Sequence, residues 1–210
     1  MKKTLLILTL LLVLATTAFS QKNRTYDFYI QAQGLVLTEP DFWTDYYSFG
    51  MGLGFGIEYP VSPAWSFVGG IDIRTYGLDK DALKEYYIED YLASSVEVSG
   101  GRAWGISFSV LGKGKLQQDP TRMSPYFKGG FGITHITADD ADVKYVVGNN
   151  TLKDDPGIES ETNLSLTLGI GLEFPLGEGN QKLYMDIGYH LVMVDPDNVG
   201  TVPITLGLRF

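Results

Sequence analysis

The chain has 210 residues, with 25 acidic against 16 basic side chains, a formal net charge of −9 and a mean hydropathy of +0.01. An acid excess of this size argues against nucleic acid as a partner, and a hydropathy near zero excludes a bundle of membrane-spanning helices. Cysteine is absent, so the fold is not a disulfide scaffold and has no thiolate chemistry or thiolate metal site.

Residues 1–20 read as a cleaved secretory signal peptide. Lys2 and Lys3 form a basic start, Leu5 to Leu14 is almost wholly apolar, and Ala18 and Ser20 place small residues at −3 and −1 of a cut before Gln21. The apolar run is shorter than the roughly 20 residues a spanning helix needs, and without cysteine there is no lipoprotein attachment site. The expected mature chain, residues 21–210, is a single β-barrel domain.

The strands follow in order. Residues 26–37 alternate Tyr26, Phe28, Ile30 and Ala32 with Asp27, Tyr29, Gln31 and Gln33. The clearest pattern is residues 48–60. Phe49, Met51, Leu53, Phe55, Ile57 and Tyr59 fall on one face, and Gly50, Gly52, Gly54, Gly56 and Glu58 on the other. A helix would lose roughly 1 kcal/mol at each glycine. As a strand, the segment has a wholly apolar face and an opposite face too small and polar to be a core, so the apolar face needs an outside partner. A bilayer is the simplest one, and about 9–11 residues suffice to span it. Further strands are expected at 65–77, 102–111, 126–137, 163–174, 182–194 and 201–210, each alternating apolar with small, polar or charged residues.

Eight strands make an even number, and the connections alternate in character. Residues 38–47, 78–100, 138–162 and 195–200 are mostly long and acidic, with Lys80, Lys84, Lys144 and Lys153 as their lysines. The intervening turns are rich in proline, glycine and glutamine. Residues 79–95 have some helical character, with Leu83, Tyr86, Tyr87 and Tyr91 spaced by three or four. The reading is all-β: an eight-stranded antiparallel up-and-down transmembrane barrel with short periplasmic turns and long external loops. A soluble lipocalin is the rival, but its lumen is apolar, and glycine, serine, threonine and charges could not line one.

The leader, the eight alternating strands and the final apolar-alternating strand ending in Phe210 resemble the small OmpA/OmpX-type outer-membrane β-barrels. The ending VPITLGLRF looks like the terminal signal read by outer-membrane assembly machinery in that family. The resemblance implies residence in the outer membrane, with its lipid and that machinery as partners. It does not specify an activity, since such barrels serve as pores, adhesins, structural proteins and enzymes. No periplasmic domain is expected after the last strand, so the resemblance does not imply peptidoglycan binding of the kind seen in two-domain members.

An eight-stranded barrel is just wide enough for side chains to fill. The alternation points Asp27, Glu58, Asp72, Arg74, Lys128, Glu173, Asp186 and Arg209 inward. Lys128 and Glu173 fall on adjacent strands, as do Asp186 and Arg209. A water-poor lumen demands pairing, because an unpaired charge costs several kcal/mol. The expected arrangement is an internal salt-bridge plug, with a narrow polar pore as the alternative. Phe28, Tyr59, Trp65, Phe127, Phe174 and Phe210 would mark the periplasmic interface, and Phe49, Trp104 and Tyr189 the outer one.

His135, Thr137 and Asp139 loosely resemble the His-x-Ser arrangement of lipid A deacylases, with threonine in the place of serine and Asp139 or Glu159 as the orienting acid. A solvated interfacial histidine is the simpler reading, and no catalysis is expected. His190 points inward. Asp139, Asp140 and Asp142, the pair Asp154 and Asp155, and the group Asp195, Asp197 and Asn198 have oxygen ligands suited to Ca²⁺ or Mg²⁺, but none has a full EF-hand pattern. A solvated acidic surface is expected, with no cofactor. The functional expectation is a structural or surface-interaction role carried by loops 78–100 and 138–162, where an extracellular ligand would bind.

Overall fold

The computed structural model describes residues 26–119, 121–139, 141–148, 150–154, 160–177, 181–195 and 197–210. The expected signal peptide therefore lies outside the described residues. The elements in order are β1 (Asp27–Glu39), α1 (Asp41–Tyr46), β2 (Tyr47–Pro60), β3 (Trp65–Leu78), α2 (Lys80–Asp90), β4 (Ser95–Gly100), β5 (Ala103–Lys115), β6 (Ser124–Ala138), β7 (Ala141–Val147), β8 (Asn150–Asp154), β9 (Glu161–Pro175), β10 (Lys182–Val192) and β11 (Val199–Arg209). Eight of these strands close into one antiparallel barrel in the order β1-β11-β10-β9-β6-β5-β3-β2. Closure pairs the first strand with the last, from Tyr29 opposite Arg209 to Glu39 opposite Gly200.

The alternation does the sorting. Met51, Leu53, Phe131 and Ile170 are 64–71 % exposed on the outside. Gln31, Gln33, Asp72, Arg74, Glu173 and Arg209 are buried inside. An apolar belt of this extent on a protein surface marks a lipid interface. At one rim Trp65 meets Phe127 edge to face at 5.4 Å. Phe210 exchanges two backbone hydrogen bonds of 2.9 Å with Phe28 and stacks on its ring at 6.5 Å.

The long connections are more ordered than expected. Residues 78–100 contain both α2 and β4, and residues 138–162 contain β7 and β8. Together these form a second, three-stranded sheet in the order β4-β7-β8. It continues the barrel strands without a slip. The β5–β6 ladder runs from Lys115 opposite Tyr126 to Ala103 opposite Ala138. The same register resumes in β4–β7, from Gly100 opposite Ala141 to Ser95 opposite Val146. The gap is bridged by Asp139 N donating to Arg102 O at 2.8 Å. Likewise the β6–β9 ladder, which reaches Ile136 opposite Glu161, is in register with β7–β8, which ends at Val147 opposite Asn150.

Gly100 and Gly101, at φ 75° and 79°, let the chain bend at the rim in a conformation that other residues rarely adopt. From the start of β6 to the end of β7 the path is about 80 Å at roughly 3.3 Å per residue, far beyond the apolar band of about 25 Å.

Helix α2 covers this sheet. Asp79 caps its start, accepting from Asp81 N and Ala82 N at 3.1 Å. Its Leu83 and Tyr87 pack with Ala93, Val98, Val143 and Tyr145 in a small core outside the barrel.

Candidate functional site

Two regions hold the groups that could perform a function: the lumen and the projecting module. The lumen is layered. At the rim away from the projecting sheet, Glu58 on β2 and Glu173 on β9 are 3 % and 0 % exposed. Lys113 Nζ donates to Glu58 Oε2 at 3.0 Å and to Glu173 Oε1. Lys115 lies 3.0 Å from Glu58 and 3.6 Å from Glu173, and Lys182 lies 3.7 Å from Glu173. Arg209 Nη1 reaches Glu58 at 2.7 Å and Glu173 at 3.2 Å, and its Nε lies 3.6 Å from Asp27. Ser66 Oγ donates to Glu58 at 2.8 Å. Interlocked partners of this kind recover part of the desolvation cost of each charge, while Glu173 Oε2 and Arg209 Nε and Nη1 make ion-pair contacts without a well-formed hydrogen bond among the described residues.

Above this layer, Asp186 accepts from Tyr126 Oη at 2.7 Å and from Lys128 Nζ at 2.8 Å. Asp72 accepts from Gln31 and Gln33 at 2.6 and 3.0 Å, and Arg74 lies 3.9 Å from it. Tyr29, Tyr126 and Tyr184 fill the centre. Next comes a neutral layer. His190 Nδ1 is 2.9 Å from Thr167 Oγ1 and its Nε2 is 3.3 Å from Thr134 Oγ1. Thr134 also contacts Ser107 and Ser165 at 2.9 and 3.0 Å. The end under the projecting sheet is closed by an apolar cluster of Leu35, Leu37, Tyr47, Tyr76, Ala103, Ile136, Val192 and Val199. The lumenal cavity that remains is about 50 Å³, room for a few waters.

The ion pairs differ from those suggested by strand adjacency. Lys128 takes Asp186 rather than its neighbour-strand residue Glu173, and Arg209 takes Glu58, Glu173 and Asp27 rather than Asp186. In so narrow a barrel, inward side chains from non-neighbouring strands converge. Lys113, Lys115 and Lys182 are additions to the expected lumenal set. Residues 112–115 read as part of a turn, yet Lys113 and Lys115 continue the inward phase of Ser107, Ser109 and Leu111, and that phase was the available signal. Ser66, Gln31 and Gln33, read from sequence only as the non-apolar face, are the neutral partners that complete the layers.

The histidine motif is not assembled as a His-x-Thr unit. His135 Nδ1 is 2.9 Å from Thr162 Oγ1, across the β6–β9 ladder, whereas Thr137 Oγ1 is 2.7 Å from Ser160 Oγ. Glu159 lies outside the described residues. Among the described residues no group of three histidine, aspartate or glutamate side chains is placed to hold a metal. Asp140 and Asp155 lie outside the described residues.

In the projecting module the loop tyrosines stack on one another. Tyr87 sits 4.8 Å from Tyr145 and 5.2 Å from Tyr91, and Tyr86 lies 5.5 Å from Tyr87 and 5.8 Å from both Tyr46 and Tyr91. Tyr87 Oη donates to Asp154 Oδ2 at 2.6 Å, fastening α2 to β8. Burial and then this hydrogen bond push the Tyr87 phenol up from its ordinary value, so it remains a donor well into alkaline solution.

A family model for the outer membrane protein beta-barrel domain matches residues 6–210. No curated protein sequence matches the chain. Among solved structures, Neisserial surface protein A superposes with a TM-score of 0.52 at 13 % identity, covering 89 % of this chain and 96 % of that one. Ail, the attachment invasion locus protein of Yersinia pestis, gives 0.46 at 17 % identity, covering 88 % and 97 %. The outer membrane enzyme PagL gives 0.42 at 14 % identity, covering 87 % and 98 %. At 13 % identity, the likeness to Neisserial surface protein A speaks for the fold alone.

Proposed function

Because the chain belongs to the outer membrane protein beta-barrel domain family, and is thus an outer-membrane β-barrel, we propose that it acts as a non-conducting, non-enzymatic carrier for a rigid surface-interaction module. The observation that supports this most is the register that the β5–β6 and β6–β9 ladders share with β4–β7 and β7–β8 across the rim. A loop needed only to connect two strands has no use for a sheet with its own helix and core. The short turns support a periplasmic orientation for the rim where Phe28 pairs with Phe210, and Phe210 there is the proposed assembly signal, with the assembly machinery and outer-membrane lipid as proposed partners.

The filled lumen and its apolar closure weigh against the pore reading. Reconstituted into planar bilayers, the protein is expected to show no discrete conductance steps. Reproducible steps that change on Arg74→Ala or Lys128→Ala would revive the pore.

The module itself is tested by replacing residues 139–161 with a two-residue turn. Barrel assembly, read as the unboiled-against-boiled mobility difference in SDS, is expected to persist. Attachment of expressing cells to a surface they otherwise colonise is expected to fall to the level of cells lacking the protein. Attachment equal to that of cells carrying the intact chain would sink the proposal.

A further inference from the structure

Helix α2 uses only part of its circumference to cover the sheet. Its Leu83 and Tyr87 are buried, whereas Tyr86, Ile88, Tyr91 and Leu92 are 36 %, 49 %, 43 % and 80 % exposed. The rings of Tyr46 and Tyr91 stand at 71° and 70° to that of Tyr86, each at 5.8 Å. An edge-to-face contact occupies one face of a ring, and Tyr86 and Tyr91 still keep 36 % and 43 % of their surface open to solvent, where the negative face of the aromatic quadrupole can meet a cation.

Charge is added around the rings. Asp45 and Asp90 join burial in pushing the Tyr46 phenol up. Tyr86 is pushed up first by its hydrogen bond with Tyr91, with Asp90 contributing. Glu85 and Glu89 are also exposed on the helix. Of its lysines, Lys84 is held by Asp81 at 2.9 Å.

Leu92 is an independent sign. It sits at φ 52°, in the left-handed region, among the non-glycine residues the only one so placed within the described residues. Glycine or asparagine closes a helix there without strain. The Leu92 backbone closes the helix, with Ala93 N donating to Tyr87 O at 3.3 Å, but its four-fifths exposed side chain is not among the residues of the module core.

We propose that Tyr46, Tyr86 and Tyr91, with Ile88 and Leu92 beside them and Asp45 and Asp90 at their rim, are a docking surface for a lysine- and arginine-bearing polypeptide segment. The charge pattern selects a cation and repels phosphate-bearing lipid and saccharide. The rings take guanidinium or ammonium heads. Ile88 and Leu92 take the aliphatic stems, which a small inorganic cation lacks. This rests on the surface-interaction reading of the module and names the chemistry of its partner.

The test uses the full-length barrel in lipid nanodiscs and a fluorescent Lys/Arg-rich peptide, with an acidic peptide of equal length as control. Saturable binding of the basic peptide alone is expected. Tyr86→Ala with Tyr91→Ala should weaken it at least tenfold, and Asp90→Asn severalfold. Tyr86→Phe with Tyr91→Phe should retain it, since the rings remain. Leu92→Gly relieves the backbone while removing the side chain, so it should weaken binding even though the module gains thermal stability, which separates a lost contact from a lost fold. Binding indifferent to the tyrosine and Leu92 changes, or preference for the acidic peptide or for phosphate-bearing vesicles, overturns the docking surface. If the basic peptide fails to bind while the 139–161 replacement still abolishes attachment, this inference falls and the broader role stands. If attachment is also unaffected, both fall.

Discussion

Glu173→Gln is expected to lower the unfolding free energy of the barrel by about 3–5 kcal/mol, the cost of removing one partner from a buried charge cluster. Glu173 is fully buried and faces Lys113, Lys115, Lys182 and Arg209. With its charge gone, those four cations face only Glu58 and Asp27. The amide keeps the shape, so the loss reads as electrostatics rather than as a cavity. The urea midpoint in lipid vesicles measures it, with Glu97→Gln as an exposed control expected to move stability by less than about 1 kcal/mol. A loss at Glu173 as small as that of the control would mean that water enters the lumen and solvates the cluster.

Gly171→Val is expected to be nearly as damaging through crowding. A Cβ at this position would lie 2.5 Å from the Tyr126 ring, 2.6 Å from Asp186 Cβ and 2.6 Å from the Met185 carbonyl oxygen. Tyr126 is held by its hydrogen bond to Asp186 and by Lys113, whose Nζ lies 4.2 Å from its ring centre. None of the three neighbours can retreat cheaply. Overpacking costs about 1–3 kcal/mol for added methylenes, and a branched side chain against backbone belongs at or above the upper end. The readout is the fraction of the chain that acquires heat-modifiable mobility on refolding. Full yield with an unchanged urea midpoint would show that the lumen has slack at this level.

The number of barrel strands and the inward or outward direction of each were legible because lipid and lumen impose opposite chemistry on successive residues. Tyr47–Pro60 and Glu161–Pro175 announce themselves for that reason. Strand ends were less legible. The sequence Gly-Lys-Gly-Lys at 112–115 has no apolar residue to mark the outward phase, so the alternation predicts an end to β5 at Leu111. The projecting sheet was hidden for a different reason. Val96 and Val98 on β4, and Val143 and Tyr145 on β7, alternate over too few residues to signal a strand alone. Their covering, Leu83 and Tyr87, comes from a separate helix. The ion-pair partners could not be read from strand order, because Lys113 on β5 meets Glu58 on β2 and Glu173 on β9, neither of them a bonded neighbour of β5.

The unslipped register at the rim also has a mechanical consequence. Ladder hydrogen bonds lie perpendicular to their strands. A pull on the outer tip, directed along β7 and β8, would load the bonds of the membrane-embedded strands in shear. Many pairs then share the force, where peeling would break them one at a time. A tether joined to a barrel by a single flexible strand concentrates tension at one point, whereas here traction is distributed into the part of the molecule best anchored to resist it.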